Sequence, residues 1–201
     1  KNEEAKIRNA YVKMANLDYN IPGVHILDKA VVLDDAHVLD DAEVMDNAKI
    51  SGHARISDNA QVVSNAQVSD NVRVSGRALV DNNAQIYGDA KIDGNAWIKD
   101  NAIISGNAHI YGYAEVQGNV WVNGHAQIYG NAKVSGHAWI KDHAEVYGHA
   151  QISGNAHVGG DTKLYKYAQI GGSAVILGGT WDGSEGSITE GTWKSPTERI
   201  K

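Results

Sequence analysis

The sequence predicts an all-β fold, a single-stranded triangular parallel β-helix of about nine coils, from three observations. Alanine recurs at every sixth position from Ala30 to Thr180 without a slip, with Val or Thr at four of these positions. Offset by two residues, 26 consecutive positions from Ile26 to Ile176 hold Val, Ile or, once, Leu. Most of the alanines follow a Gly or Asp and then an Asn, Asp or His. Such pairs tolerate the left-handed backbone of a sharp corner.

Each group of six residues, or hexad, makes one short side and one corner of a coil. Alternate side chains of a β-strand point the same way, so the Ala and the aliphatic residue face inward and the residue between them faces outward. Three hexads close a triangular coil of 18 residues. Successive coils stack as parallel strands about 4.8 Å apart, which makes a prism about 40 Å tall. The absence of Phe agrees with a narrow interior.

The two ends of the chain are predicted to cap this repeat, because a stack of coils must cover its core and block strand addition at each end. Residues 1–23 are predicted to form an N-terminal capping helix, over residues 2–17, and a linker. Residues 24–180 are predicted to form the hexapeptide-repeat β-helix. Residues 181–201 are predicted to form an irregular C-terminal cap in which Trp181 and Trp193 cover the last coil.

Composition excludes several classes of function. With 18 Lys and Arg against 24 Asp and Glu, the formal charge of -6 argues against nucleic acid as a partner. The sequence contains no run near the roughly 18 apolar residues that a membrane helix needs, so no membrane partner is expected. The absence of Cys excludes disulfides, thiolate metal sites and a Cys nucleophile. It leaves the compartment open, with the cytoplasm favoured.

Segments such as Ile92-Asp93-Gly94-Asn95-Ala96-Trp97 resemble the hexapeptide repeat of the left-handed β-helix superfamily, over about residues 24–180. Within that superfamily the chain resembles the loopless bacterial and phage proteins that are often labelled as acyltransferases. The resemblance implies a left-handed coil and a homo-oligomer, most often a trimer with sites between subunits. The enzymes of this superfamily use an acyl-CoA or acyl carrier protein and usually interrupt a coil with a loop near the catalytic His. This chain has no insertion between Val24 and Thr180, which favours a non-catalytic role.

Residues 18 apart stack in one column, so surface columns are predicted directly from the sequence. One corner column places His125 and His143 on successive coils about 5 Å apart, with Asp161 beyond them. These His residues are turn residues in one interpretation, since His also replaces Asn at other corners. In the alternative, an acyltransferase using acetyl-CoA or another acyl-CoA, either one is the general base. A zinc enzyme at the same column is a third hypothesis.

Three further columns are candidate binding surfaces. Aromatic rings stabilise a parallel stack, and they are also enriched at contacts with partners and ligands. Basic residues stacked in one column are a solvated face in one interpretation and a phosphate site in the other. The candidate binding residues are Tyr111, Tyr129, Tyr147, Tyr165, Trp121, Trp139, His157, Arg55, Arg73 and Lys91.

The leading hypothesis is a non-catalytic β-helix scaffold or binding protein. Its flat aromatic faces would mediate self-association, as a homo-oligomer and most often a trimer, or would bind a protein partner or ligand. No cofactor and no metal are expected. An acyl-CoA-dependent acyltransferase with a corner His as general base is the alternative.

Overall fold

The computed structural model describes residues 24–200, which form a three-sided parallel β-solenoid of about nine turns. This confirms the predicted all-β triangular architecture. The residues from 24 to 200 contain no α-helix, and therefore no helix that could cross a membrane. The helix predicted at residues 2–17 and the linker after it lie outside the described residues.

The described residues form thirty strands, most of them two residues long. In chain order these strands are β1 His25–Ile26, β2 Val31–Val32, β3 His37–Val38, β4 Glu43–Val44, β5 Lys49–Ile50, β6 Arg55–Ile56, β7 Gln61–Val62, β8 Gln67–Val68, β9 Arg73–Val74, β10 Leu79–Val80, β11 Gln85–Ile86, β12 Lys91–Ile92, β13 Trp97–Ile98, β14 Ile103–Ile104, β15 His109–Ile110, β16 Glu115–Val116, β17 Trp121–Val122, β18 Gln127–Ile128, β19 Lys133–Val134, β20 Trp139–Ile140, β21 Glu145–Val146, β22 Gln151–Ile152, β23 His157–Val158, β24 Lys163–Leu164, β25 Gln169–Ile170, β26 Val175–Ile176, β27 Thr180–Trp181, β28 Ser187–Ile188, β29 Thr192–Ser195 and β30 Glu198–Ile200.

Each coil contributes one strand to each of three sheets, which are the faces of the prism. Face A contains every third strand from β1 to β28, and face C every third strand from β3 to β27. Face B contains every third strand from β2 to β29, with β30 added at its end. Within the regular coils each residue pairs with the residue 18 later, as Trp97 does with Glu115.

The hexad around Trp97 shows how the pattern builds a side. Ala96 and Ile98 are fully buried in the interior, and the Trp97 side chain between them is half exposed. The Trp97 backbone N–H donates to the Ala114 carbonyl oxygen, 2.9 Å away in the next coil. The interior is consequently a column of alternating small and aliphatic side chains, stabilised by burial and close packing.

Corners depend on one residue with a left-handed backbone, which is Gly or Asp in most coils. Gly94 has φ of 68° and Asp100 has φ of 63°. Where the residue is Asp, its carboxylate accepts a hydrogen bond from the backbone N–H of the corresponding corner residue in the next coil at every such corner from Asp34 to Asp142, as Asp100 does from Gly118 at 2.9 Å. This bond offsets the cost of a left-handed non-glycine residue, which explains why Asp alternates with Gly at this position.

The corner between faces A and B carries a ladder of asparagine side chains that are 18 residues apart in the sequence. Each amide nitrogen donates to the amide oxygen of the Asn in the next coil at 3.1–3.2 Å, through Asn47, Asn65, Asn83, Asn101 and Asn119. The ladder ends where the Asn119 amide contacts the imidazole of His137 at 3.2 Å. These bonds join successive coils at a place where the strands are interrupted.

The winding continues past residue 180, but its register changes by one residue. Leu164 pairs with Trp181, 17 residues later, because the corner at Gly178 and Gly179 is one residue short. Trp181 therefore takes the inward position that the regular hexad would give to Asp182. Its side chain is 1% exposed and lies inside the last coil, whereas the sequence predicts that it covers that coil from outside.

The final strands form an antiparallel hairpin. β29 continues face B in parallel with β26, and β30 then pairs with β29 in the opposite direction. Trp193 on β29 meets the Trp181 ring edge to face, with ring centroids 5.9 Å apart. An antiparallel last strand interrupts the parallel ladder, which makes this edge of face B a poorer template for adding a further coil.

Candidate functional site

The predicted aromatic and histidine residues lie on the outer surface of the second half of the prism. The tyrosine row (Tyr111, Tyr129, Tyr147 and Tyr165) lies along the corner between faces C and A. The tryptophan row (Trp121, Trp139 and His157) lies on the strands of face B. The histidine pair (His125 and His143) lies at the corner between faces B and C, so it separates the two rows.

The tyrosine row is a continuous parallel stack. Its ring centroids are 4.7, 4.8 and 5.5 Å apart in order along the row, with interplanar angles of 4°, 1° and 20°. The imidazole of His109, two residues earlier in the same coil, contacts Tyr111 with ring centroids 4.3 Å apart and a tilt of 32°. All four tyrosines are half-buried because each ring covers the next one. The spacing follows the strand spacing, so the stack is a direct product of the repeat.

Burial in this stack changes the acidity of the phenols. Burial raises the pKa of Tyr129 from 10.0 to about 12, with smaller contributions from the charge of Glu145 and from the neighbouring tyrosines. Burial also raises the pKa of Tyr111, with a contribution from the carboxylate of Asp93. The stacked form therefore favours neutral phenols.

We expect the free energy of unfolding to fall as the pH rises from 10 to 12, because the Tyr129 phenol loses its proton in the unfolded chain first. The stabilising contribution is fully present below pH 10 and is lost as the pH passes the folded-state pKa. Denaturant unfolding at a series of pH values measures this fall. The variant Tyr129→Phe keeps the ring and should show a smaller fall, and an equal fall in both proteins would contradict the assignment.

The tryptophan row packs differently from the tyrosine row. Trp121 and Trp139 meet edge to face, with centroids 6.3 Å apart at 79°, and Trp139 meets His157 edge to face at 5.5 Å. The negative face of one ring attracts the positive edge of the next, so the indoles of successive coils contact each other edge to face. Trp121 remains 51% exposed. Within residues 24–200, the Trp139 Nε1 is the single buried side-chain polar atom without a hydrogen-bond partner.

Face B also differs from the other faces in charge. Seven consecutive coils carry no Asp, Glu, Lys or Arg as the outward residue of their face B strand, which is Gln67, Gln85, Ile103, Trp121, Trp139, His157 or Val175. Face A carries Glu115 and Lys133 at the same level, and face C carries Glu145 and Lys163. The strand positions of face B therefore lack charged residues over these coils, and Lys141, just after β20, places its Nζ over the Trp139 ring, 5.2 Å from the ring centroid.

The histidine pair stacks as the sequence predicts. The two imidazoles are 5.1 Å apart and nearly parallel, at 7°, and both side chains are exposed. Across residues 24–200, Asp161 forms no hydrogen bond with His143, and no three His, Asp or Glu side chains are arranged to hold a metal ion. Imidazoles in this arrangement stabilise a corner by ring contact, and both remain accessible to solvent.

The basic residues lie in one row on face C. Arg55, Arg73 and Lys91 pair in register on successive coils, and all three side chains are exposed. At the end of the row, His109 contacts the Asp93 carboxylate at 2.8 Å. The row lies on the coils before the tyrosine row, so the structure does not combine the basic and aromatic candidates into one pocket.

The structure also brings together residues that the column analysis misses. Trp97 on face A and Tyr113 at the corner before that face line one shallow cleft of about 400 Å³, with Glu115 and Lys133. Trp97 and Tyr113 are 16 residues apart, so they do not share a column. A search across adjacent columns, rather than along each one, would have found this pair.

A family model described as the YdcK β-solenoid repeat matches residues 66–82 and residues 126–141. The first segment contains β8 to β10 and the second contains β18 to β20, so each match spans about one coil. No curated protein matches the chain. Over these two coils the chain is similar to the YdcK β-solenoid repeat, which together with the coil geometry supports a β-solenoid scaffold built from repeats.

Proposed function

We propose that the chain is a non-catalytic β-solenoid scaffold that associates with further copies of itself through face B, with a trimer as the expected assembly. The observation that carries this proposal is the uncharged row of face B, which includes Trp121 and Trp139. The centres of protein interfaces are depleted in charged residues and enriched in Trp, as this row is.

The absence of charge favours a second copy as the occupant. Where the same face of every copy lies on the symmetry axis of a trimer, equivalent rows meet each other, so a charged row would bring like charges together. The strand residues of face B avoid this cost over seven coils, whereas Arg55, Arg73 and Lys91 on face C would incur it.

The shape of the corners supports a scaffold role. Each corner between two neighbouring faces is made by a few residues, and the described residues carry no projecting loop between β1 and β26. Flat faces joined by tight corners allow two prisms to approach closely along their length. The predicted general bases, His125 and His143, lie on such a corner and are open to solvent.

Light scattering across a concentration series is expected to show an oligomer that Trp121→Lys weakens. The new ammonium would be buried without a partner, so the midpoint concentration of association should rise at least about tenfold. The matched control is Trp97→Lys on face A, where the native Trp is 50% exposed against 51% for Trp121. A monomeric wild type, or an equal effect of both variants, would sink the proposal.

The wild type and one further variant, His143→Ala, test the acyltransferase alternative. If His143 is a general base, His143→Ala removes turnover of acetyl-CoA with hydroxyl and amine acceptors. A non-catalytic scaffold has no such turnover in the wild type, and His143→Ala leaves its solution mass unchanged. Turnover that depends on His143 would replace the scaffold proposal with the enzyme.

A further inference from the structure

The cleft on face A is built from two adjacent rows over three successive coils. We name it the face A cleft, and its volume of about 400 Å³ lies within the range of small-molecule sites. Ala114, a small residue, lies between the two rows. The corner row is Asn95, Tyr113 and Asn131, and the strand row is Trp97, Glu115 and Lys133.

Two aromatic side chains of the cleft are strongly exposed. Trp97 is 50% exposed and Tyr113 is 67% exposed, in contrast to the half-buried tyrosine row at the same corner. Lys99 Nζ lies over one face of the Trp97 ring, 5.4 Å from the ring centroid. An exposed ring face is apolar and carries the negative part of the ring quadrupole. Such a face attracts groups that are apolar but carry weak positive charge, as the C–H bonds of a sugar ring do.

The rest of the cleft supplies hydrogen-bonding groups of both kinds. The amides of Asn95 and Asn131 each offer donors and an acceptor. Lys99 Nζ donates to Glu115 Oε1 at 2.7 Å, and this bond holds the pKa of Glu115 below its usual range. The second oxygen, Oε2, is 3.5 Å from Lys133 Nζ, and the Lys133 side chain is 65% exposed. The Glu115 carboxylate and the Lys133 ammonium can therefore bond to a ligand.

We propose that the face A cleft binds a segment of a glycan, whose pyranose C–H faces pack on both Trp97 and Tyr113 and whose polar substituents bond to Asn131, Glu115 and Lys133. A pyranose combines an apolar face with a rim of groups that both donate and accept, which matches this set of side chains. The net charge of -6 disfavours a nucleic acid strand. An apolar peptide anchor needs an enclosed pocket, whereas this cleft is shallow.

This site is independent of the proposed self-association. The face A cleft lies on a different side of the prism from Trp121 and Trp139, and the binding of a sugar requires no second copy of the chain. Binding of a glycan by a protein that is monomeric in light scattering would therefore support the cleft while contradicting the assembly.

Calorimetric titration of the full chain tests the cleft with cellohexaose, maltohexaose, chitohexaose and hexagalacturonate. At least one of these is expected to bind with a Kd of about 1 mM or tighter. Trp97→Ala and Tyr113→Asn should each weaken that binding at least about tenfold, because each removes a ring face. Binding of hexagalacturonate alone would assign an acidic sugar, whose carboxylate faces Lys133.

The variant Tyr113→Asn tests binding with little risk to folding, because Asn already occupies this corner at Asn95 and Asn131. The matched control is Tyr167→Asn, in the same corner column, where the native Tyr is 69% exposed against 67% for Tyr113. The control should bind like the wild type. The proposal is overturned if no hexasaccharide binds at about 10 mM, or if Tyr167→Asn weakens binding as much as Tyr113→Asn.

Discussion

Replacing Trp181 with Ala is expected to lower the free energy of unfolding by about 3–5 kcal/mol. Trp181 is the largest fully buried side chain among the described residues. Its Nε1 donates to the Gly178 carbonyl oxygen at 2.9 Å, and its ring supports Trp193 edge to face. Truncation leaves a cavity inside the last coil and removes both contacts. Denaturant unfolding measures the loss.

The loss should be concentrated at the C-terminal end, because each coil of a solenoid contacts only its neighbours. Hydrogen exchange of the backbone amides in β27 to β29 should accelerate more than exchange in β13 to β15. Trp181→Leu is the matched control, since Leu164 occupies the same inward position one coil earlier, and it should cost less than Trp181→Ala. A loss below about 1 kcal/mol for Trp181→Ala would mean that the last coil contributes little to stability.

Replacing Gly136 with Ala is expected to destabilise the protein by about 3 kcal/mol or more. Gly136 has φ of 76°, which L-residues rarely adopt, and a Cβ there would lie 2.6 Å from the Gly154 carbonyl oxygen. The neighbouring coil would therefore have to move. Equilibrium unfolding in denaturant, followed by far-ultraviolet circular dichroism, gives the difference from the wild type.

Two variants separate the causes of this effect. Gly186 also has φ of 76°, but a Cβ there meets nothing within 4 Å, so Gly186→Ala should show only the backbone cost of about 1–2 kcal/mol. Gly136→Asp should recover part of the loss, because the new carboxylate can accept a hydrogen bond from the Gly154 backbone N–H. Asp100 accepts the same kind of bond from the Gly118 N–H. Equal losses for Gly136→Ala and Gly186→Ala would show that the close approach of the coils does not matter.

Much of the candidate surface could be predicted because it depends on one number, the spacing of 18 residues. The histidine pair is predicted about 5 Å apart and lies at 5.1 Å. The tyrosine row and the asparagine ladder follow from the same spacing, since identical side chains on parallel coils meet at the strand separation. Whether Trp121 and Trp139 stack or meet edge to face depends on their side-chain torsions, which the spacing does not determine.

The sequence by itself determined the three-sided solenoid, the residues that face inward and the columns that share a face, because a strict hexad allows one phase of burial. Only the tertiary structure decided the short corner at Gly178 and Gly179, the burial of Trp181 and the cleft between Trp97 and Tyr113. The physical reason is that these features come from contacts between different columns and from a local change of register. Neither leaves a periodic signal in the chain.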